Sequence, residues 1–121
     1  MVKRVLALGL DPRFVKPEQL QGLSPELVRS YIDSQLERVW AMGYELRSCL
    51  VDTGETAEKV VEAELDARTF DCVLFGAGLR DETQLLLFER LLNLVHARAP
   101  DAKICFNSNP SDTAEAVQRW V

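Results

Sequence analysis

The fold of this chain is decided by the stretch Asp71-Cys72-Val73-Leu74-Phe75-Gly76-Ala77-Gly78-Leu79-Arg80-Asp81. Its apolar run from Val73 to Phe75 is typical of a strand that helices cover on both faces, as in a parallel sheet. Gly76 and Gly78 remove side chains where the chain must turn, and Asp81 is a favourable N-cap for the helix that follows. The stretch therefore predicts one strand of a parallel sheet, a tight turn and a helix start.

The rest of the chain repeats this alternation. Apolar or alternating runs predict strands at about residues 3–10, 44–51, 72–75 and 103–106, and helical periodicity predicts helices at about residues 25–42, 55–68, 82–98 and 111–120. Such alternation predicts the α/β class, with a parallel sheet between two helical layers and right-handed crossovers. We expect the strand order 2-1-3-4, because the first and third strands are the most apolar and belong in the middle. Residues 1–121 fit the size of a single domain.

The amino-acid composition disfavours nucleic acids and membranes as partners. The net charge of −5 disfavours a nucleic-acid partner, and no helix or strand gathers the positive charges. No stretch approaches the roughly 20 apolar residues of a membrane span. The apolar run that starts at Val5 is broken at once by Asp11-Pro12, which predicts a first strand rather than a signal peptide. We expect a cytoplasmic protein without a membrane partner.

The three cysteines, Cys49, Cys72 and Cys105, show no C-x-x-C spacing and each lies in or beside a predicted strand. This pattern favours small buried residues in a reducing compartment over a metal or redox site. No metal site is predicted.

A ligand is expected outside the carboxyl ends of the strands, where the strand order reverses between the first and third strands. The predicted ligand-binding residues, from central to peripheral, are Asp11, Arg13, Gly76, Gly78, Arg80, Asp52, Asn107 and Ser108. Backbone N–H groups of residues 78–82 at a helix start, together with Arg80, favour a small anionic or phosphate-bearing ligand. The alternative is that the glycines only allow a tight turn and that Arg80 is solvated.

A long segment precedes the first helix. Residues 11–23 contain Pro12, Pro17 and Gly22 without a helical period, which predicts a loop at the upper end of the usual length. Such a loop is either a lid or binding loop, or a surface loop with no further role.

Known nucleotide and catalytic motifs do not fit. A dinucleotide fingerprint requires G-x-G-x-x-G after the first strand, where only Gly9 is present, and no P-loop string occurs. The single histidine, His96, lies at the end of its helix opposite the expected crevice, so a role at the helix C-terminus is favoured over that of a base. Asp11 and Asp52 form a carboxylate pair only if their loops converge, and otherwise they cap turns. The sequence does not identify a cofactor.

The layout of alternating strands and helices resembles the flavodoxin-like, Rossmann-like group, and it is similar to that of response-regulator receiver domains. In that family an acidic pair follows the first strand and the phosphate-accepting aspartate ends the third. Here Asp11 stands alone and Gly76-Ala77-Gly78 replaces the acceptor. The resemblance implies the fold and an interaction module of receiver-like layout, without phosphoacceptor function.

The third helix is apolar over more than half of its circumference, which predicts a homo-oligomer contact through Leu87, Leu91 and Leu94 in addition to the contact of this helix with the sheet. The function favoured by the sequence is a non-enzymatic oligomeric module that binds a small anionic ligand or a protein partner. The alternative is a small enzyme that acts on a phosphorylated or carboxylated metabolite with Asp11, Arg13 and Arg80.

Overall fold

A parallel sheet forms the centre of the computed structural model, which describes residues 2–54 and 56–121. Its four strands, in the order β2-β1-β3-β4, are β1 (Arg4–Leu10), β2 (Glu45–Val51), β3 (Cys72–Phe75) and β4 (Lys103–Phe106). Val5 of β1 pairs with Leu46 of β2 on one side and Cys72 of β3 on the other. The predicted α/β class and strand order are confirmed.

Helices cover both faces of the sheet. They are α1 (Pro25–Ala41), α2 (Ala57–Ala67), α3 (Leu85–Arg98) and α4 (Thr113–Gln118). One buried cluster joins α2 and α3 to the sheet, and a second joins α1 and α4 to its other face, which makes three layers. The predicted start of the second helix at Glu55 lies outside the described residues. Within these residues, no helix is long and apolar enough to cross a membrane.

The predicted helix ends are set by local chemistry. Ser24 accepts a hydrogen bond from the N–H of Leu27 and caps α1, and Gly43 takes the left-handed conformation (φ +98°) after it. Short 3-10 turns, Glu82–Gln84 and Pro110–Asp112, precede α3 and α4, so both α-helices begin later than predicted.

The leucine face of α3 points inward. Leu87 and Leu91 are 3% and 0% exposed and belong to the cluster between α3 and the sheet, and Leu94 packs partly against it. The predicted subunit contact through Leu87, Leu91 and Leu94 is therefore wrong for the first two residues, because their side chains already pack within the chain. Leu85 and Leu86 are the exposed leucines of this helix. The oligomeric state stays a prediction.

All three cysteines are buried and free, as their sequence pattern predicts. The Sγ atoms of Cys72 and Cys105 lie 3.3 Å apart on neighbouring strands. Burial raises the pKa of Cys49 to about 11, and the hydrogen bond to Cys105 together with burial raises the pKa of Cys72. Cys49 and Cys72 are therefore protonated, unreactive thiols at neutral pH.

Candidate functional site

A cavity of about 620 Å³ lies beside the carboxyl ends of β1 and β3, on the sheet face that α1 and α4 cover. This is the point of strand-order reversal at which the sequence predicts a ligand. Ala7, Gly9 and Leu74 form part of its floor, and Val28 and Ile32 of α1 form part of one wall. Its volume falls within the roughly 300–1,000 Å³ of small-molecule sites.

The cavity exists because α1 contacts the sheet mainly through its second half. Leu36 and Val39 are buried there, whereas Ile32 is half-buried and Tyr31 is 45% exposed. Opposite them, β1 presents a small side chain at Ala7 and none at Gly9. The first half of α1 therefore leaves an apolar space that the sheet does not fill.

The predicted loop of residues 11–23 forms another wall. It contains two 3-10 turns, Pro12–Phe14 and Pro17–Leu20, and buries Leu20 beneath it. The Nε2 atom of Gln19 donates to Oδ2 of Asp81 at 3.0 Å, which joins the loop to the turn after β3. Both residues line the cavity, so the loop is part of the candidate site.

Two buried polar side chains meet on the cavity wall where β4 leads into α4. Asn107 and Thr113 are 5% and 3% exposed, and Nδ2 of Asn107 donates to Oγ1 of Thr113 at 3.0 Å. The hydroxyl of Thr113 donates its single proton to the carbonyl of Pro110 at 2.7 Å. In this arrangement the hydroxyl oxygen accepts from Nδ2 of Asn107, so the amide is oriented with Nδ2 toward Thr113.

This orientation leaves Oδ1 of Asn107 as a buried acceptor. Among residues 2–54 and 56–121, no donor lies within hydrogen-bonding distance of that atom. Buried polar atoms without a partner are uncommon and require a physical explanation.

Asp11 and Arg13 form an ion pair with each other and do not line the cavity. The Nη2 atom of Arg13 lies 2.9 Å from Oδ2 of Asp11, and the N–H of Arg13 donates to Oδ1 at 3.0 Å. This side-chain hydrogen bond lowers the pKa of Asp11 below its ordinary 3.8. Neither residue belongs to the described cavity lining, although Pro12 between them does.

Asp11→Ala is expected to lower the free energy of unfolding by about 1 kcal/mol at pH 7, because the turn at Pro12 loses its cap. Since the pKa of the folded carboxyl is lowered, its contribution is present above the ordinary pKa of 3.8 and is lost as the pH falls from there through the folded pKa. Urea unfolding at pH 7 and at pH 2.5 would check this. A difference between variant and wild type that does not shrink at the lower pH would contradict it.

Arg80 turns toward the β3–β4 side of the sheet. Its guanidinium donates to the carbonyl oxygens of Asn107 and Phe75 and lies 5.1 Å from the centre of the Phe106 ring. Burial lowers the pKa of Arg80. Asp11 and Arg80 therefore bond to other groups of the chain, and neither is in the described cavity lining.

The backbone of the turn after β3 also forms hydrogen bonds within the turn. The N–H groups of Leu79 and Arg80 donate to the carbonyls of Gly76 and Ala77, both at 3.1 Å. These two donors belong to the five N–H groups of the predicted anion site, so that site has fewer available donors than expected. The carboxylate of Asp81 accepts from the N–H and hydroxyl of Thr83 and caps the 3-10 turn before α3.

Gly76 and Gly78 line the cavity, and both allow close contact with β1. A Cβ atom on Gly78 would lie 3.2 Å from Cβ of Leu10, and one on Gly76 would lie 3.3 Å from the carbonyl oxygen of Leu8. Their absent side chains therefore bring the turn against the end of β1.

Asp52 and Ser108 form hydrogen bonds with neighbouring residues of their own turns. Asp52 accepts from the hydroxyl of Thr56 and the N–H of Gly54, and the hydroxyl contact lowers its pKa. The N–H of Ser108 donates to the carboxylate of Asp112 at 2.9 Å. Of the eight predicted ligand-binding residues, those in the cavity lining are Gly76, Gly78 and Asn107.

Sequence reasoning missed Thr113 and Gln19 as site residues. Thr113 follows a helix-capping segment and Gln19 lies in a polar loop, so neither has a local pattern that distinguishes it. Within the described part of the chain, no group of three or more His, Cys, Asp or Glu side chains is placed to hold a metal ion.

A scan of the chain against protein-family models found no match, and a search of curated proteins found none either. The geometry of the cavity is therefore the basis for the functional interpretation.

Proposed function

We propose that this chain is a non-enzymatic domain that binds a small molecule in the cavity beside β1 and β3. The observation that carries the proposal is the combination of a 620 Å³ cavity at the strand-order reversal with a few buried polar groups on its wall. Small-molecule sites in open α/β sheets combine a mostly apolar lining, a few fixed polar groups and this location.

The contacts of the charged residues favour binding over catalysis. Asp11 pairs with Arg13, and Arg80 donates to two backbone carbonyls. An enzyme acting on a phosphorylated or carboxylated metabolite would use these side chains. Here they form hydrogen bonds and an ion pair within the protein. Lys16 is the cationic side chain that lines the cavity, and it supports the original anionic-ligand expectation only weakly because Asp81 lines the same cavity.

The proposal also covers the family layout, the cellular compartment and the oligomeric state. The strand order 2-1-3-4 agrees with the first four strands of the flavodoxin-like order, which supports a flavodoxin-like, receiver-like layout. Three free, buried thiols support a reducing, cytoplasmic environment. A homo-oligomer or a protein partner remains a prediction, and its contact would have to use side chains other than Leu87 and Leu91.

Calorimetric titration with 2-naphthol tests the proposal, because this uncharged aromatic molecule is small enough for the cavity. We expect one saturable site with a Kd of roughly 0.1–1 mM, the range for a ligand of this size. Heat that rises linearly with 2-naphthol concentration, without saturation, would contradict a binding site.

The hydrogen bond between Gln19 and Asp81 is expected to slow ligand exchange. Gln19→Ala removes it and should speed dissociation of 2-naphthol about threefold, as loss of one exposed hydrogen bond implies. Stopped-flow fluorescence measures the rate. Glu18→Ala is the matched control, since Glu18 is exposed on the same turn and lies outside the described cavity lining. Equal dissociation rates in Gln19→Ala and Glu18→Ala would contradict a role of the Gln19–Asp81 hydrogen bond in slowing ligand exchange.

A further inference from the structure

The outer edge of β2 carries backbone groups that have no ladder partner within the sheet. The N–H of Glu45 donates to the carbonyl of Lys3 at 2.9 Å, so the odd-numbered residues of β2 face β1. In a parallel ladder the N–H and C=O groups of alternate residues point to opposite sides of the strand, so the even-numbered residues face outward. In the described part of the chain, no hydrogen bond reaches these outward groups, which belong to Leu46, Ser48 and Leu50.

The opposite edge of the sheet is shorter and partly covered. The N–H of Lys103 donates to the carbonyl of Asp71, so Ile104 and Phe106 are the residues of β4 that face outward. The Nη2 atom of Arg119 donates to the carbonyl of Phe106 at 2.8 Å. Short strands and charged side chains are common means of protecting a sheet edge. The seven-residue β2 is therefore the edge that is better suited to pair with another strand.

We propose that β2 pairs in antiparallel orientation with β2 of a second copy of this chain, with Ser48 at the two-fold axis. The sheets of the two copies then form one continuous sheet. This dimer goes beyond the small-molecule function and does not depend on it. It gives the homo-oligomer predicted from the sequence a contact that does not use the leucines of α3.

The outward residues of β2 are self-complementary in this register. Leu46 lies opposite Leu50 of the partner subunit, Leu50 lies opposite the partner's Leu46, and Ser48 lies opposite its counterpart. Each outward residue therefore faces another outward residue, and each of these pairs exchanges two hydrogen bonds in an antiparallel ladder. The ladder satisfies the outward groups of both strands with about six hydrogen bonds.

The charges along β2 are compatible with this pairing. Arg47 lies opposite the partner's Cys49, and Glu45 lies opposite the partner's Val51, so like charges are not directly opposed. The Nε atom of Arg47 also lies 2.6 Å from Oε2 of Glu64, which balances its charge within each copy. The interface therefore adds little to the repulsion that a net charge of −5 causes between two copies.

The surface beside this edge has the size and the apolar character of a weak dimer contact. A groove of about 250 Å³ is lined in part by Trp40 and Leu46, and Trp40 is 58% exposed. The partner's Leu50 lies opposite Leu46 and therefore comes close to this groove. At one hydrogen bond per 100–200 Å², about six bonds correspond to roughly 600–1,200 Å² of buried surface. We expect a reversible dimer with a Kd of roughly 10–100 µM, since interfaces of this size are weak.

Sedimentation velocity of the full chain, from about one tenth to ten times the expected Kd, tests the proposal. The wild type is expected to show a monomer–dimer equilibrium. Ser48→Lys places two ammonium groups opposite each other at the axis and should weaken the dimer at least about tenfold. Ser34→Lys is the matched control, because it makes the same charge change at an exposed position on α1. It should dimerise like the wild type.

Ser48→Cys tests the register without opposing the contact. The Cα atoms of a hydrogen-bonded antiparallel pair lie about 5.5 Å apart, which is within the range that a disulfide spans. Diamide should oxidise the two introduced thiols to a disulfide between copies and is itself reduced by the two hydrogens. A non-reducing gel is expected to show a covalent dimer. Ser34→Cys is the control and should stay monomeric on the gel, since the native cysteines are buried.

The outcomes separate this proposal from the small-molecule function. A wild type that stays monomeric at the highest concentration overturns the dimer and leaves the β2 edge to a strand of another protein. A Ser48→Lys dimer as tight as the wild type overturns it as well, because the contact then lies elsewhere. If Ser48→Lys does not fold, a Ser48→Cys chain that cross-links no faster than Ser34→Cys overturns it. A dimer that does not bind 2-naphthol supports this inference and contradicts the small-molecule function alone.

Discussion

Ile32→Trp is expected to weaken binding of 2-naphthol by roughly 70-fold. Ile32 is half-buried on α1 and lines the cavity, so an indole at this position occupies space that the ligand needs. Loss of about 100 Å² of apolar contact corresponds to about 2.5 kcal/mol, which is the basis of this factor. Calorimetric titration of the purified variant measures the change.

Leu27→Trp provides the control on the same helix. Leu27 is 55% exposed and lies outside the described cavity lining, so an added indole there should leave the affinity for 2-naphthol unchanged. Binding to Ile32→Trp with wild-type affinity would contradict the assignment of the site to this cavity. Equal weakening in both variants would point to a general effect on α1 instead.

Phe75→Ala is expected to lower the free energy of unfolding by about 3–5 kcal/mol, the usual cost of removing a buried phenylalanine. Phe75 is 0% exposed at the centre of the sheet. Its ring centre lies 5.4 Å from that of Phe88 and 6.3 Å from that of Phe106, both in edge-to-face geometry. Because a domain is stable by only about 5–15 kcal/mol, this one truncation removes a large part of the total.

Urea unfolding followed by tryptophan fluorescence measures this loss. Phe14→Ala is the matched truncation, since Phe14 is 42% exposed and should cost about 1 kcal/mol or less. A loss below about 1 kcal/mol for Phe75→Ala would contradict the central role of this ring in the core.

The fold could be predicted from local patterns because each of its determinants lies within a short stretch. The apolar run from Val73 to Phe75 defines β3, and Ser24 with Pro25 defines the start of α1. The strand order followed from which runs were continuously apolar and which alternated. The 3-10 turns before α3 and α4 were missed, since caps and acidic residues predict a helix start equally well in either geometry.

The partners of the site residues could not be predicted, because they depend on contacts between distant parts of the chain. Arg80 donates to the carbonyl of Asn107, and Gln19 donates to Asp81, which lies 62 residues away in the sequence. The additional subunit contact predicted for Leu87 and Leu91 was wrong for a related reason. A wide apolar stripe shows that these residues will be buried, but it does not show that packing against the sheet leaves them almost no exposed surface.

The measurement that tests the central claim most directly is a titration of ¹⁵N-labelled protein with 2-naphthol, followed by amide chemical shifts. The account predicts saturable shifts at residues of the cavity wall on the α1 and α4 side of the sheet, including Ala7, Ile32, Asn107 and Thr113. Amides near the exposed Val60 and Leu86, on the α2 and α3 side, should remain unchanged. Saturable shifts confined to that opposite side would contradict the assignment of the cavity as the binding site.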